Sequence, residues 1–230
     1  MCTPPKPSTT IPACSRWSNG TIYVPGGKGD VGYFGGLITH ELYENYRLRF
    51  EFKWGEHTYG RRKNKARDAG VMLHCIGANG PGPWMTSYEC HIIEGGTGDL
   101  LLVNPLKVNE ASLPFTLTCR AESERRGTEW CFKDGAKRNG LKEGERLDWW
   151  GRDPHWKDVV DYRGPSDADS PVGQWTRCEI VARGNTLEYY VNDKLVNRGS
   201  DLNVCRGKIL LQTEGAEVWY RNIELTKLMN

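Results

Sequence analysis

Runs in which apolar and polar residues alternate strictly constrain this chain more than any other feature. In residues 47–54 the even positions are Leu, Phe, Phe and Trp, and the odd positions are Arg, Arg, Glu and Lys. This period of two is typical of a strand with one buried face. The pattern recurs at residues 176–182, 186–191, 208–214 and 217–225. No segment has a capped helical period over ten residues, so the chain is predicted to be an all-β sandwich or jelly roll.

The length of 230 residues fits one large all-β domain. We expect residues 17–230 to form a single sandwich domain and residues 1–16, which are rich in Pro and Thr, to form a flexible tether. The Met1-Cys2 start resembles a mature lipoprotein, which predicts a lipid anchor at Cys2 and export to the periplasm or cell surface. The sequence contains no run of 18 apolar residues, so no transmembrane segment is predicted.

The formal net charge of +2 provides no global field for binding nucleic acid or an anionic membrane, which favours a neutral, small partner. The 9 Trp and 10 Tyr residues could stack on sugar rings, although core packing is the simpler explanation for most of them. The dense basic run at residues 60–67 is interpreted as a solvated loop, with phosphate contact as its alternative. The 8 Cys residues suit an oxidising compartment, but their pairing cannot be read from spacing.

Two segments in the middle of the chain carry the most reactive side chains. Residues 68–75 and 88–94 both read as strands, joined by a loop at residues 77–87 in which Gly and Pro residues precede Trp84. An antiparallel register that places His74 opposite His91 also places Cys75 opposite Cys90. We therefore predict that His74, Glu89 and His91 meet on one face of the sheet.

Such a cluster has two chemical interpretations. Imidazole and carboxylate groups can bind a divalent metal ion, or they can act as a general base and a general acid near neutral pH. A single histidine on a strand is more often a hydrogen-bonded surface residue. The cofactor is therefore left as unknown, with a divalent metal held by His74, Glu89 and His91 as one hypothesis.

Four further residues are candidates for substrate binding. Glu89 and Glu94 have the carboxylate spacing of laminarinase-like glycosidases, but His91 replaces the Asp between them, which argues against a retaining two-carboxylate mechanism. Alternation in residues 207–215 places Leu210, Gln212 and Glu214 on one face, where amide and carboxylate groups could hold sugar hydroxyls. The predicted substrate-binding residues are Trp84, Glu94, Gln212 and Glu214.

A set of short motifs in fixed order resembles the 3-keto-disaccharide hydrolase family. The motifs are LIT at 37–39, YRLRFEFKW at 46–54, DAG at 68–70, ECHIIEGGTGD at 89–99, PVGQW at 171–175, VN at 191–192 and GKILLQTEGAEVWYRNI at 207–223. The resemblance covers roughly residues 17 to 228. The resemblance implies a concanavalin-like jelly-roll β-sandwich of two antiparallel sheets, in exported bacterial proteins that act on glycosides oxidised at the 3-hydroxyl. Because the family often carries Gln at the position of His91, the resemblance favours His74 and Glu89 as catalytic residues.

The chemistry that this substrate class permits follows from the ketone. A ketone at C3 acidifies the hydrogen at C2, so that a base can form an enolate and the substituent at C1 can leave by β-elimination. The enzyme would thus be a 3-keto-glycoside lyase or, after water addition, a hydrolase. One alternative is a non-catalytic carbohydrate-binding module, and another is an ordinary glycosidase that uses Glu89 and Glu94.

Overall fold

A computed structural model describes residues 16–77, 84–104 and 116–229 of the chain. These residues form strands and one short 3-10 helix, Gly60–Arg62. The strands are β1 Arg16–Ser18, β2 Thr21–Val24, β3 Gly27–Lys28, β4 Val31–Gly32, β5 Phe34–Ile38, β6 Tyr46–Thr58, β7 Asp68–Ile76, β8 Thr86–Ile93, β9 Asp99–Val103, β10 Cys119–Arg126, β11 Glu129–Phe132, β12 Arg138–Leu141, β13 Arg146–Asp148, β14 Thr176–Arg183, β15 Thr186–Val191, β16 Lys194–Gly199, β17 Lys208–Glu214 and β18 Ala216–Lys227.

Two large sheets make up the sandwich. One has the strand order β1-β2-β18-β6-β14-β15-β16, and the other has the order β12-β10-β11-β13-β9-β8-β7-β17-β5. The chain passes directly from one large sheet to the other after β5, β6, β13, β16 and β17, and it reaches β5 from β2 through the separate two-stranded β3/β4 sheet. Repeated crossing between two sheets is the way a jelly roll is built. The predicted fold of two antiparallel sheets is confirmed, with the single parallel pair β11/β13 as a local exception within the described strands.

The core lies between the two sheets. On β6 the side chains of Leu48, Phe50, Phe52 and Trp54 are all buried, as the period of two predicts. They pack into one cluster with the inward residues of the nine-stranded sheet, such as Val71. Each such side chain contributes about 1.5–3 kcal/mol on burial, so this layer is the main source of stability.

The turn between β15 and β16 is the hairpin that the sequence indicates. Asn192 and Asp193 both have positive φ, at 45° and 66°, which is the backbone of the two-residue turns that match strand twist. Asn192 also donates from Nδ2 to the carbonyl of Ala168 at 2.8 Å. The turn is thus tied to the loop that precedes β14.

The predicted tether lies outside the described residues except for Arg16, and so do Cys2 and most of the loop before Trp84. The six cysteines within the described ranges are free thiols. In those same ranges, no helix has the length and apolar character needed to cross a membrane.

Candidate functional site

The face of the nine-stranded sheet that points away from the core carries a row of polar groups, and this face is called the outer face. Strand pairing aligns Asp99 on β9 with His91 on β8, His91 with Gly70 on β7, and Gly70 with Gln212 on β17. The three polar side chains are all buried despite facing outward. They are therefore desolvated, which strengthens their electrostatic interactions.

Across β9, β8, β7 and β17, the neighbouring row on the outer face is apolar apart from one carboxylate. Pairing aligns Leu101, Glu89, Met72 and Leu210 across four strands. Met72 and Leu210 belong to a small apolar cluster on this face, together with Cys75 and Met85. Burial in this setting raises the pKa of Glu89 from 4.5 to about 7, with the nearby charge of Asp68 adding to the rise and His91 opposing it.

Gly70 provides the space that the Glu89 carboxylate occupies. Glu89 crosses from β8 toward β7, and a Cβ atom added at Gly70 would collide with Glu89 Oε1. The carboxylate therefore lies directly over the backbone of the neighbouring strand. A side chain at position 70 would force it to move.

We expect Gly70→Ala to lower kcat roughly ten- to hundredfold, because the added methyl group displaces the candidate catalytic carboxyl of Glu89. A displacement of a catalytic group by about 1 Å can have an effect of that order. Steady-state kinetics and thermal unfolding would measure the effect, and overpacking should also destabilise the protein by about 1–3 kcal/mol. Gly140→Ala on β12 is the matched control, since a Cβ there meets nothing within 4 Å. Equal kinetics for the two variants would contradict this role of Gly70.

His91 is held by Asp68. His91 Nε2 lies 2.8 Å from Asp68 Oδ1, and both side chains are buried. Burial opposes protonation of His91, but the charge of Asp68 and its hydrogen bond outweigh this, so the pKa of His91 is raised above 6.5. Within the described residues Nδ1 has no hydrogen-bond partner. The pair thus holds an imidazole that is oriented at one nitrogen and, among these residues, is buried without a partner at the other.

The other polar group on the outer face consists of Gln212, Glu214 and Trp84. Gln212 Nε2 donates to Glu214 Oε1 at 2.7 Å, and Trp84 Nε1 donates to the same oxygen at 2.9 Å. Gln212 Oε1 is buried and has no partner among the described residues. The guanidinium of Arg61 lies 5.1 Å from the centre of the Trp84 ring. Alternation correctly placed Gln212 and Glu214 on one face, and the structure adds Trp84 beside them.

The predicted position of His74 is wrong. β7 pairs with β8 through Gly70 and His91 rather than through His74 and His91, and a bulge interrupts the register between Leu73 and Ile76. His74 itself has a φ of +52°, which turns its side chain to the core face. Its ring packs edge-on against the core residues Tyr46 and Tyr88.

The surroundings of His74 do not suit an acid–base role at neutral pH. Burial lowers its pKa to about 4, and Nδ1 lies 3.0 Å from the carbonyl oxygen of Val204. The sheet separates this ring from Glu89 and His91. The predicted metal set of His74, Glu89 and His91 is therefore not assembled, and no three His, Cys, Asp or Glu side chains in the described ranges form a metal-ligand group.

Glu94 also lies apart from the outer-face groups. It follows β8 in a turn, where its two carboxylate oxygens accept from Arg67 Nη1 at 2.5 Å and from the Arg67 backbone N–H at 2.8 Å. Arg67 is buried and also binds the carbonyl of Gly55 and the carboxylate of Asp161. The pairing does not support the substrate-binding prediction for Glu94, because a structural ion pair uses both of its oxygens.

The basic run at residues 60–67 is not fully solvated, because two of its arginines form internal ion pairs. Arg62 forms two hydrogen bonds with Asp158, at 2.8 and 3.2 Å, and its Nη2 lies 3.4 Å from Asp68 Oδ2. Arg67 holds Glu94. Arg62 and Arg67 thus form internal ion pairs that connect this segment to the acidic residues of β7 and of the turn after β8.

Sequence reasoning missed Asp68, Asp99 and Arg146 as residues of the site. Asp68 begins the DAG motif, so its spacing of two from Gly70 could have placed it on the outer face. Asp99 accepts a hydrogen bond from the Trp149 N–H at 2.8 Å and pairs with Arg152. Arg146 on β13 is aligned with Leu101 and therefore lies in the same row as Glu89.

These features define a class of protein. It is a two-sheet sandwich in which a desolvated carboxylate, an oriented imidazole and a carboxamide lie on one sheet face. Such a set of groups is suited to polyhydroxylated ligands. The sequence narrows the class, because residues 5–226 match the 3-keto-alpha-glucoside-1,2-lyase-like domain. The chain belongs to this family of carbohydrate-active enzymes. The predicted family and enzyme class are confirmed.

Solved structures with a similar fold include two proposed glycosyl hydrolases from Parabacteroides distasonis ATCC 8503. The first is 16% identical with a TM-score of 0.48, covering 92% of this chain and 88% of that chain. The second is 15% identical with a TM-score of 0.49, covering 94% and 83%. The carbohydrate binding module CBM66 from Bacillus subtilis is 12% identical with a TM-score of 0.46, covering 90% and 96%. These likenesses assign no function, and among curated proteins none matches the sequence.

Proposed function

We propose that the protein cleaves 3-keto-α-glucosides by β-elimination, with Glu89 as the base that removes the C2 proton. The observation that carries the proposal is the Glu89 carboxyl, which is buried over the backbone of Gly70 and has a pKa raised to about 7. A general base is most effective when its pKa lies near the working pH. Membership of the 3-keto-alpha-glucoside-1,2-lyase-like family supports the same reaction.

The reaction balances with two protein groups. Glu89 takes the proton from C2, and the electron pair of that C–H bond forms an enolate with the oxygen at C3. The ketone then re-forms as C1 and C2 become doubly bonded, and the bond from C1 to the leaving oxygen breaks. The leaving oxygen takes a proton from an acid, and addition of water across the new double bond completes net hydrolysis.

His91 is the acid in this proposal. Asp68 holds the Nε2 side of the ring and favours its protonated form, so the buried, unpaired Nδ1 is the nitrogen that would stabilise the enolate and protonate the leaving oxygen. Gln212 Oε1 and the Glu214 carboxylate would accept hydrogen bonds from sugar hydroxyls, and the Trp84 ring would cover one face of the sugar. Each role uses a group that lies on the outer face.

The pH dependence of kcat/KM should be bell-shaped. The acidic limb should rise with an apparent pKa of about 7, because Glu89 must lose its proton to act as a base. The alkaline limb should follow loss of the His91 proton, at a pH above the ordinary value of 6.5. The two apparent values belong to the interacting pair. A profile that is flat from pH 5 to pH 9 would contradict the assignment.

Matched substrates test the function itself. Methyl 3-keto-α-glucoside and methyl α-glucoside differ only at C3, and cleavage can be followed by NMR. The proposal expects cleavage of the keto compound alone, since only its C2 proton is acidified. Equal cleavage of both would favour an ordinary glycosidase, and saturable binding without cleavage would favour a binding module.

A further inference from the structure

Arg146 on β13 is a cation at the edge of the candidate site that none of the roles proposed above uses. Its Cα is aligned with Leu101, and Leu101 is aligned with Glu89, so these residues share one row. The next residue, Leu147, is buried in the core between the sheets, so alternation places the side chain of Arg146 on the outer face. That side chain is 31% exposed, so a ligand can reach it.

The guanidinium of Arg146 reaches from the row of Glu89 to the row of His91. Its Nη1 lies 3.8 Å from Oδ2 of Asp99 on β9, and Asp99 is the cross-strand partner of His91. Paired residues of antiparallel strands have Cα atoms about 4.5–5.5 Å apart. The guanidinium therefore lies beside Asp99, one strand away from the strand that carries both Glu89 and His91.

Asp99 does not use the hydrogen-bond donors of Arg146. Oδ1 of Asp99 accepts from the Trp149 N–H at 2.8 Å, and Oδ2 forms a close ion pair with Arg152, whose side chain is 6% exposed. The distance of 3.8 Å to Arg146 is too long for a hydrogen bond. Among the described residues the Arg146 side chain has no hydrogen-bond partner. Its five N–H donors are therefore available to a ligand.

The charge of Arg146 acts on both proposed catalytic groups. Burial has the largest effect on the pKa of Glu89 and on the pKa of His91, and the charge of Arg146 acts on both in the lowering direction. This agrees with the position of the guanidinium beside Asp99. An anion that forms between Glu89 and His91 would be stabilised by the same charge.

The proposed elimination calls for two hydrogen-bond donors, and His91 provides one. Negative charge develops on the oxygen at C3 when the C2 proton leaves, and on the oxygen at C1 when the bond to the leaving group breaks. These oxygens lie on opposite sides of C2, whereas His91 has one nitrogen, Nδ1, without a partner among the described residues. That nitrogen cannot hold the enolate and protonate the leaving oxygen at the same moment.

We infer that Arg146 is a further catalytic residue, which binds the enolate oxygen at C3 while His91 protonates the leaving oxygen at C1. This inference rests on the proposed function and adds the group that takes over the enolate from His91. The guanidinium donates hydrogen bonds and keeps all of its protons, so the balance of the reaction is unchanged. The C3 side of the sugar then faces β9.

Arg146→Gln should lower kcat on methyl 3-keto-α-glucoside about 100-fold, which is the order of effect of removing one donor to an oxyanion. Each protein is measured at its own optimum pH, because loss of the charge also moves the pH profile to higher pH. Arg146→Lys keeps the charge without the planar fork and should recover part of the loss. Arg126→Gln is the matched control, since Arg126 is 37% exposed and contacts Glu124 instead.

A better leaving group separates the role of Arg146 from that of His91. The leaving oxygen of 4-nitrophenyl 3-keto-α-glucoside departs without a proton, so the loss in His91→Ala should shrink at least about tenfold relative to the methyl glycoside. The loss in Arg146→Gln should stay within about twofold, because the enolate must still form. Wild-type kcat in Arg146→Gln, or a loss that shrinks as much as that of His91→Ala, would overturn the inference while leaving the reaction in place.

If the wild-type protein cleaves neither substrate, the proposed function fails, and binding of kojic acid decides on the oxyanion site alone. Kojic acid is a six-membered oxygen ring with an enol next to a ketone, so its anion resembles the enolate. Calorimetry above the pKa of that enol should show saturable binding that Arg146→Gln weakens about tenfold and Arg126→Gln leaves unchanged. Absence of binding, or equal binding by the three proteins, would overturn the site.

Discussion

Replacement of Glu89 by Gln is expected to lower kcat on a 3-keto-α-glucoside by about 10³-fold or more. Gln has the shape of protonated Glu but cannot accept the C2 proton, so the step that starts the elimination loses its base. Turnover measured at pH 8 would show the effect most clearly, because Glu89 is ionised above its pKa of about 7. The exposed Glu41→Gln change is a matched control that should leave kcat unchanged.

The same variant should be more stable than the wild type at high pH. The pKa of Glu89 is raised on folding, so the stability of the wild type is fully present below about pH 4.5 and is lost as pH rises through about 7. A shift from 4.5 to about 7 corresponds to about 3 kcal/mol as an upper value. Denaturant unfolding at pH 4 and pH 9 measures the difference. A variant that is inactive and also destabilised at pH 9 would indicate a structural role instead.

Asp68→Asn is expected to have the second-largest effect, a loss of about 10²- to 10³-fold in kcat. Asn cannot stabilise the imidazolium of His91, and the analogous loss of an aspartate behind a catalytic histidine is of this size or larger. The pKa of His91 should fall, because burial is then no longer outweighed by Asp68. The alkaline limb of the pH profile should therefore move to lower pH.

Asp158→Asn is the matched control for this change. Asp68 and Asp158 both contact Arg62, but only Asp68 also holds His91. A loss that comes from Arg62 would appear in both variants, whereas a loss through His91 would appear in Asp68→Asn alone. An Asp68→Asn enzyme that retains both kcat and the alkaline limb would contradict the role of the pair.

The strands of this protein could be predicted because each of them repeats a simple pattern. The period of two in β6 and β17 correctly indicated which residues face the core, and it placed Glu89 with His91 and Gln212 with Glu214. This rule holds only while a strand is regular. It therefore predicted on which face of the sheet the residues of a regular strand lie, but it did not predict their cross-strand partners.

His74 shows why the rest of the site was not predictable. A bulge with positive φ reverses the side-chain direction for that residue and shifts the register of β7 against β8. Nothing in the residue types of the segment indicates a bulge there. Once the register shifts, His91 faces Gly70, and the partner of His91 becomes Asp68 rather than a second histidine.

Glu94 illustrates a different limit. Its spacing from Glu89 suggested a second carboxylate for chemistry, but its partner Arg67 lies 27 positions earlier in the chain. Such a buried ion pair depends on how the segment before β7 folds back over the turn after β8. Long-range pairs of this kind leave no local pattern in the sequence.

Exchange of the C2 proton tests the central claim most directly. Methyl 3-keto-α-glucoside in D₂O is incubated with the wild-type protein or with Glu89→Gln, and loss of the C2 proton signal is followed by NMR together with release of methanol. The account predicts that the wild type removes the C2 proton at least as fast as it releases methanol, and that Glu89→Gln does neither above the rate without enzyme. Removal of the C2 proton by Glu89→Gln at the wild-type rate, or methanol release by the wild type with the C2 proton retained, would contradict it.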